Sequence, residues 1–171
     1  MTLVADGLRA ADEDNPRGYF EFEPVKHLHT GADLAWLTSA RGKAVKIISF
    51  LLTWLPETYD YRVVFMHRDL KEVVTSQETM LSKRGESASG SGKSAAETIK
   101  IYEDHLAQVE RFLARRACFA TLGVEYAAVL ANPRDEAARI GDFLGGQLDV
   151  EAMTAAVEPT LRRQRQDGRA R

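Results

Sequence analysis

The sequence predicts an α/β domain built on a parallel sheet, and three features carry that expectation. The short runs KAVKIIS, YRVVFM and CFATLGVEY have the β-branched, apolar composition of buried strands. Segments with apolar residues at helical spacing follow or separate them. Strands that alternate with helices pair in parallel, because a crossover helix returns the chain to the same end of the sheet. A length of 171 residues, 44% of them hydrophobic, suits a single domain, residues 1–171, around one core.

The elements follow in order. NPRGYFEFEP opens with the turn residues Asn15, Pro16 and Gly18 and reads as an ordered loop. Residues 25–40 place Val25, Leu28, Leu34, Trp36 and Leu37 on a helix that Gly31 weakens. KAVKIIS is the first strand, and FLLTWLP a helical turn stopped by Pro56. YRVVFM is the second strand. Helical spacing begins directly after it, with Leu70, Val73, Val74, Met80 and Leu81 on one face and Asp69 as N-cap. Residues 85–94 are rich in glycine and serine, the composition of a flexible loop. A long helix from about Ala95 to Arg116 turns Ile99, Tyr102, Leu106, Val109, Phe112 and Leu113 inward. CFATLGVEY is the third strand, NPRDEAARIGDFLGG a helix ended by Gly145, and VEAMTAAVEPTL a short last helix. Residues 162–171 form a basic tail.

The charges, 23 basic against 25 acidic for a net of −2, give no general case for nucleic-acid binding. The single cysteine, Cys118, excludes an internal disulfide and fits a reducing compartment. The longest apolar stretch, VKIISFLLTWLP, contains Lys46 and is too short to span a bilayer, and the N-terminus lacks the pattern of a secretory signal. A cytoplasmic protein without a membrane segment is expected.

Two short matches mislead. HRDLK would open a kinase catalytic loop, but that loop needs an asparagine where this chain has Val74, and no DFG follows. SGSGKS suggests a phosphate-binding loop, yet the required first glycine is Ser87, and the segment follows a helix rather than a strand.

Arg68 is more informative. It lies where a parallel strand ends and a helix begins, the edge at which α/β sheets bind ligands, beside helix N-terminal amides that favour an anion. Ser76 lies eight residues on, sharing a helix flank with Glu72, Thr79 and Lys83. The residues alone leave two readings open. Arg68 and Ser76 share a phosphate lying along that flank, or Arg68 pairs with Asp69 or Glu72 while Ser76 is solvated.

Beyond these arguments, YRVVFMHRDLKEVVTSQETMLSKRG resembles the 3'-phosphate-binding strand and helix of sulfotransferases that use 3'-phosphoadenosine 5'-phosphosulfate (PAPS). Three further segments agree in order. DGLRAADEDNPRGYFEFEPVK is similar to an NP-x-GY-x-E segment of bacterial members, KAVKIISFLLTWLP to a strand bearing a sulfate-directed lysine, and VEYAAVLANPRDEAARIGDFLGG to a YE-x-L...NP...RI-x-x-FLG stretch. The resemblance implies a P-loop-NTPase-like three-layer fold, with PAPS as cosubstrate and no required metal. It implies that Arg68 and Ser76 bind the 3'-phosphate, that Lys46 neutralises the transferring sulfuryl group, and that Glu21, with Glu23 as rival, takes the acceptor proton. Such chemistry needs cations on the nonbridging and leaving oxygens and a base at the acceptor. Glu21, between Phe20 and Phe22, is expected in an aromatic setting that would raise its pKa. Without the resemblance, Glu21 and Glu23 read as surface carboxylates and Lys46 as a lysine at a strand end.

Two departures accompany the likeness. The histidine base that many cytosolic relatives place just after the lysine is replaced here by Ile47, Ile48 and Ser49, and His67 reads as structural. A serine/threonine-rich loop for the 5'-phosphosulfate is expected upstream, and MTLVADG carries neither it nor a strand of sufficient length, so an N-terminally truncated fold with an uncovered sheet edge is expected. Two functions follow: sulfuryl transfer from PAPS to a hydroxyl or amine of a small molecule, glycan or peptide, or a non-catalytic α/β module that binds nucleotide or a partner. A homodimer is a further expected assembly.

Overall fold

The computed structural model describes residues 1–13, 15–31, 33–83 and 93–161. Within them helices alternate with parallel strands, an α/β fold. Strand β1 (Leu3–Val4) pairs with β2 (Ala44–Val45), and β3 (Tyr61–His67) with β4 (Phe119–Glu125), both in parallel. These are two separate two-stranded sheets, so β2 and β3 each have one strand neighbour among the described residues.

The β3–β4 pair is the centre of the molecule. Its register runs from Tyr61 beside Phe119 to His67 beside Glu125, which brings the residues after both strands to the same edge. Side chains alternate between faces. On one face Phe65 and Phe119 pack with Val109 and Leu113 of α4 (Ala95–Ala114) in the hydrophobic core. On the other face Arg62 donates to the Phe143 carbonyl at the end of α6 (Pro133–Phe143), and Arg139 of α6 donates to the Gly123 carbonyl at 3.0 Å. Helix, sheet and helix thus stack in three layers.

Three helix starts, those at Leu70, Ala95 and Val150, are capped by side chains. Ser94 and Glu97 form a reciprocal capping box at the head of α4. α3 (Leu70–Lys83) begins at Asp69, whose Oδ1 accepts from the Lys71 and Glu72 amides at 2.8 and 3.2 Å. α7 (Val150–Ala155) begins at Asp149, which accepts from the Ala152 amide.

Three expectations need correction. The helix over residues 25–40 is broken: α1 (Glu23–Lys26) ends at His27, a 3₁₀ turn (Leu28–Thr30) ends at Gly31 with a left-handed φ of 69°, and α2 (Trp36–Ala40) starts anew. Val25, Leu28 and Leu37 are nonetheless buried as the spacing requires. The strand KAVKIIS shrinks to Ala44–Val45, because its partner β1 ends at Val4 and a ladder cannot outlast its neighbour. Beyond it Ile48 is 59% exposed before a 3₁₀ turn (Ser49–Trp54) ends ahead of Pro56. The third strand stops at Glu125, and Tyr126–Ala131 form a separate helix α5 before Asn132 and Pro133 start α6. MTLVADG supplies β1. Of the expected flexible loop only Lys93 and Ser94 are described, and the basic tail lies outside the described residues. No described helix is long and apolar enough to cross a membrane.

Candidate functional site

Parallel pairing fixes the site. Because His67 sits beside Glu125, the next residues, Arg68 and Tyr126, emerge side by side where the two strands end. The Arg68 guanidinium lies over the Tyr126 ring, 5.0 Å from its centroid. A cleft of about 360 Å³ opens here, with His67, Arg68, Asp69 and Glu72 on one side and Glu125, Tyr126 and Ala127 on the other.

The two carboxylates next to Arg68 have different tasks. Asp69 is taken up by the α3 amides, so two of the amides expected to face an anion are already capped. Glu72 accepts from Arg68 Nε at 3.4 Å, and its side chain is only 4% exposed. Of the two pairings open for Arg68, the structure selects Glu72. That contact uses the Nε edge of the guanidinium, and the terminal nitrogens form no ion pair among the described residues. Ser76 is half-buried on α3 and does not line the cleft. Six residues of helix separate it from Leu70, roughly 9 Å of rise. A ligand must therefore extend along the helix to meet both. The described cleft carries three carboxylates, Asp69, Glu72 and Glu125, so its attraction for an anion rests on the placement of Arg68 rather than on net charge.

Lys46 and Glu21 form a second cluster. Lys46 Nζ donates to the Tyr19 carbonyl at 2.7 Å, which ties the residue after β2 to the loop that carries Glu21. Tyr19 is buried, its hydroxyl donates to Asp12 at 2.5 Å, and the Arg9 guanidinium lies 3.3 Å from its ring centroid. Among the described residues Phe20 is the non-glycine residue with positive φ, 51°, and its side chain is exposed. Phe22 turns inward against Trp36 at 5.4 Å. Glu21 consequently sits in no aromatic sleeve. It meets two cations, Arg9 Nη1 at 3.4 Å and Lys26 Nζ at 3.3 Å. Glu23, its rival, pairs with Lys26 at 2.8 Å. Bonds to Glu23 and then Glu21 hold the Lys26 ammonium above its ordinary pKa. No hydrogen bond or ion pair among the described residues joins this cluster to Arg68 or Ser76.

His67 packs beside Phe65, ring centroids 5.0 Å apart, and faces Glu110 at 3.9 Å. Gly123 on the neighbouring strand lies against it: a Cβ there would stand 3.4 Å from His67 Nε2, in contact with the ring. His67 is thus partly packed while it also lines the cleft. Sequence reasoning missed Tyr126 and the Arg9 and Lys26 partners of Glu21. For Tyr126 a signal existed, since each of two parallel strands is followed at once by a large polar side chain, Arg68 or Tyr126. Arg9 and Lys26 reach Glu21 only through the closure of the loop.

A family model described as the sulfotransferase family matches residues 13–150. No curated protein and no solved structure matches the chain.

Proposed function

Because the chain belongs to the sulfotransferase family, whose fold is P-loop-like, we propose that it binds PAPS and acts in sulfuryl transfer to a hydroxyl or amine acceptor. The observation that carries this reading is the Arg68 guanidinium, held at the common end of β3 and β4, where Arg68 lines the cleft and contacts Glu72 through Nε. An arginine fork is the group best matched to a phosphate. The residues fit the cosubstrate at this end: Arg68 would hold the 3'-phosphate, with Ser76 adding a hydroxyl further along α3.

PAPS supplies an activated sulfuryl group when bound. Lys46 would place its ammonium on a sulfuryl oxygen, leaving the Tyr19 carbonyl to do so. Glu21 would accept the proton of the acceptor, after release from Arg9 and Lys26. The two pairs that Glu21 would give up lie at partly exposed groups, where such contacts are weak.

Calorimetry with adenosine 3',5'-bisphosphate tests the binding half. Arg68→Ala removes two charge-assisted bonds and is expected to weaken binding by about a hundredfold, or 2–3 kcal/mol. Absence of heat with the wild-type chain overturns the reading. Transfer from radiolabelled PAPS to a panel of phenols, alcohols and amines tests the catalytic half. Binding without transfer to any acceptor would favour the nucleotide-binding module.

A further inference from the structure

We infer that Glu72 is a positioning residue, which draws the Arg68 guanidinium along α3 and fixes the direction in which its terminal nitrogens meet a phosphate. The inference rests on the phosphate-binding reading of Arg68 and adds a residue to it.

Arg68, Glu72 and Ser76 follow one another at intervals of four, a spacing that stacks side chains on one flank of a helix. Arg68 lies before the first turn and Ser76 in the second, too far apart for one phosphate unless the guanidinium leans toward the serine. Glu72 stands between them. Its carboxylate takes Arg68 Nε at 3.4 Å, one turn along the path to Ser76. Tyr126 limits the other direction, since its ring lies against the same guanidinium at 5.0 Å. An arginine side chain that would otherwise sample many rotamers is thus held on two sides, with its Nη groups left for a ligand.

Glu72 is suited to this task where its neighbours are not. Asp69 is closer in sequence but is consumed by the Lys71 and Glu72 amides. Glu125 lines the cleft from the exposed side. The Glu72 side chain, 4% exposed, is held by its surroundings and cannot swing into water. Its charge also works against an incoming anion. A carboxylate kept beside a phosphate site must therefore contribute geometry that outweighs its repulsion, and an uncharged acceptor of the same shape should serve at least as well.

That contrast supplies the test. Calorimetry is performed with adenosine 3',5'-bisphosphate and with adenosine 5'-phosphate, and the ratio of their affinities isolates what Arg68 gains from the 3'-phosphate. Glu72→Gln keeps length and an acceptor oxygen for Arg68 Nε, and the ratio should stay within about threefold of wild type or rise. Glu72→Asp keeps the charge but withdraws it by one methylene, and the ratio should fall about tenfold, the loss of one charge-assisted bond. Glu72→Ala should fall at least as far, and if it does not fold, the Asp and Gln variants decide alone. A normal ratio in Glu72→Asp, or an equal weakening of both nucleotides, would show that Glu72 only supports the helix and would overturn the inference. A wild-type ratio near one instead removes the assignment of Arg68 to the 3'-phosphate, and the inference with it.

Discussion

Asp69→Ala separates the scaffold of the cleft from its charge. Asp69 Oδ1 accepts from two of the four amides that α3 cannot satisfy internally, at 2.8 Å from Lys71 and 3.2 Å from Glu72. Replacing an aspartate N-cap by alanine costs about 1–2 kcal/mol. Loss of the carboxylate from the positive end of a 14-residue helix adds a few tenths more, on the order of 0.3–1 kcal/mol. For a chain of 171 residues, at about 2–4 °C per kcal/mol, the melting temperature should fall by roughly 3–10 °C. Thermal denaturation followed by circular dichroism reads this directly. Asp69→Ser and Asp69→Asn, which keep an acceptor, should recover most of the loss. The same substitution removes a negative charge from the cleft, so the folded fraction of Asp69→Ala should bind adenosine 3',5'-bisphosphate no more weakly than wild type. An unchanged melting temperature in Asp69→Ala, or a failure of serine and asparagine to rescue, would refute the capping argument.

Two further outcomes follow from the core. Leu113→Ala empties a buried position between α4 and the β3–β4 face and should cost about 2–5 kcal/mol, seen as a melting temperature lower by roughly 5–15 °C. Tyr61 stacks on Phe119 at 4.9 Å and donates to the Pro56 carbonyl at 2.8 Å, and burial pushes its phenol up to about 12 from 10.0. The raised value means that the folded chain keeps a proton that the unfolded chain releases. Its contribution to stability is therefore complete below pH 10 and is lost as pH rises toward 12. In an ultraviolet phenolate titration of the five tyrosines, Tyr61→Phe should remove the component with the highest midpoint.

The elements readable in the sequence are those whose stability is local or doubly buried. β3, α3, α4 and β4 stand nearly where composition and spacing put them, because each carries its own apolar pattern and, at α3, its own cap. The failures share a cause outside the segment concerned. A strand exists only as far as its partner, so the apolar run after Val45 could not announce that β1 ends at Val4. Residues 25–40 keep their apolar spacing while Gly31 breaks the backbone, so the pattern predicted burial correctly and continuity wrongly. At the site, the strand-end position of Arg68 was legible, but its choice between Asp69 and Glu72 was not. Both carboxylates are within reach in sequence, and only the cap geometry, which commits Asp69 to amides, settles it. The neighbours of Glu21 depend on loop closure over 12 residues to Arg9, and those of Lys46 on a contact across 27 residues to Tyr19.

The two halves of the proposed site differ in how firmly they are set. The Glu72 carboxylate is buried, and water does not compensate a buried charge for the loss of an arginine contact, so breaking its pair with Arg68 is unfavourable. Nucleotide binding should therefore leave that pair in place and use the spare guanidinium nitrogens. Glu21 is a quarter exposed, and its cations Arg9 and Lys26 are more exposed still. Such pairs exchange for water or ligand at little cost. Lys46, although its bond to the Tyr19 carbonyl is short, is likewise at the surface. On the proposed reading the phosphate end is a fixed receptor, whereas the residues expected at the sulfuryl group and the acceptor can rearrange. On this account salt should affect the second cluster first, because exposed pairs are screened within about 8–10 Å at ordinary ionic strength while the Arg68–Glu72 pair is shielded from it.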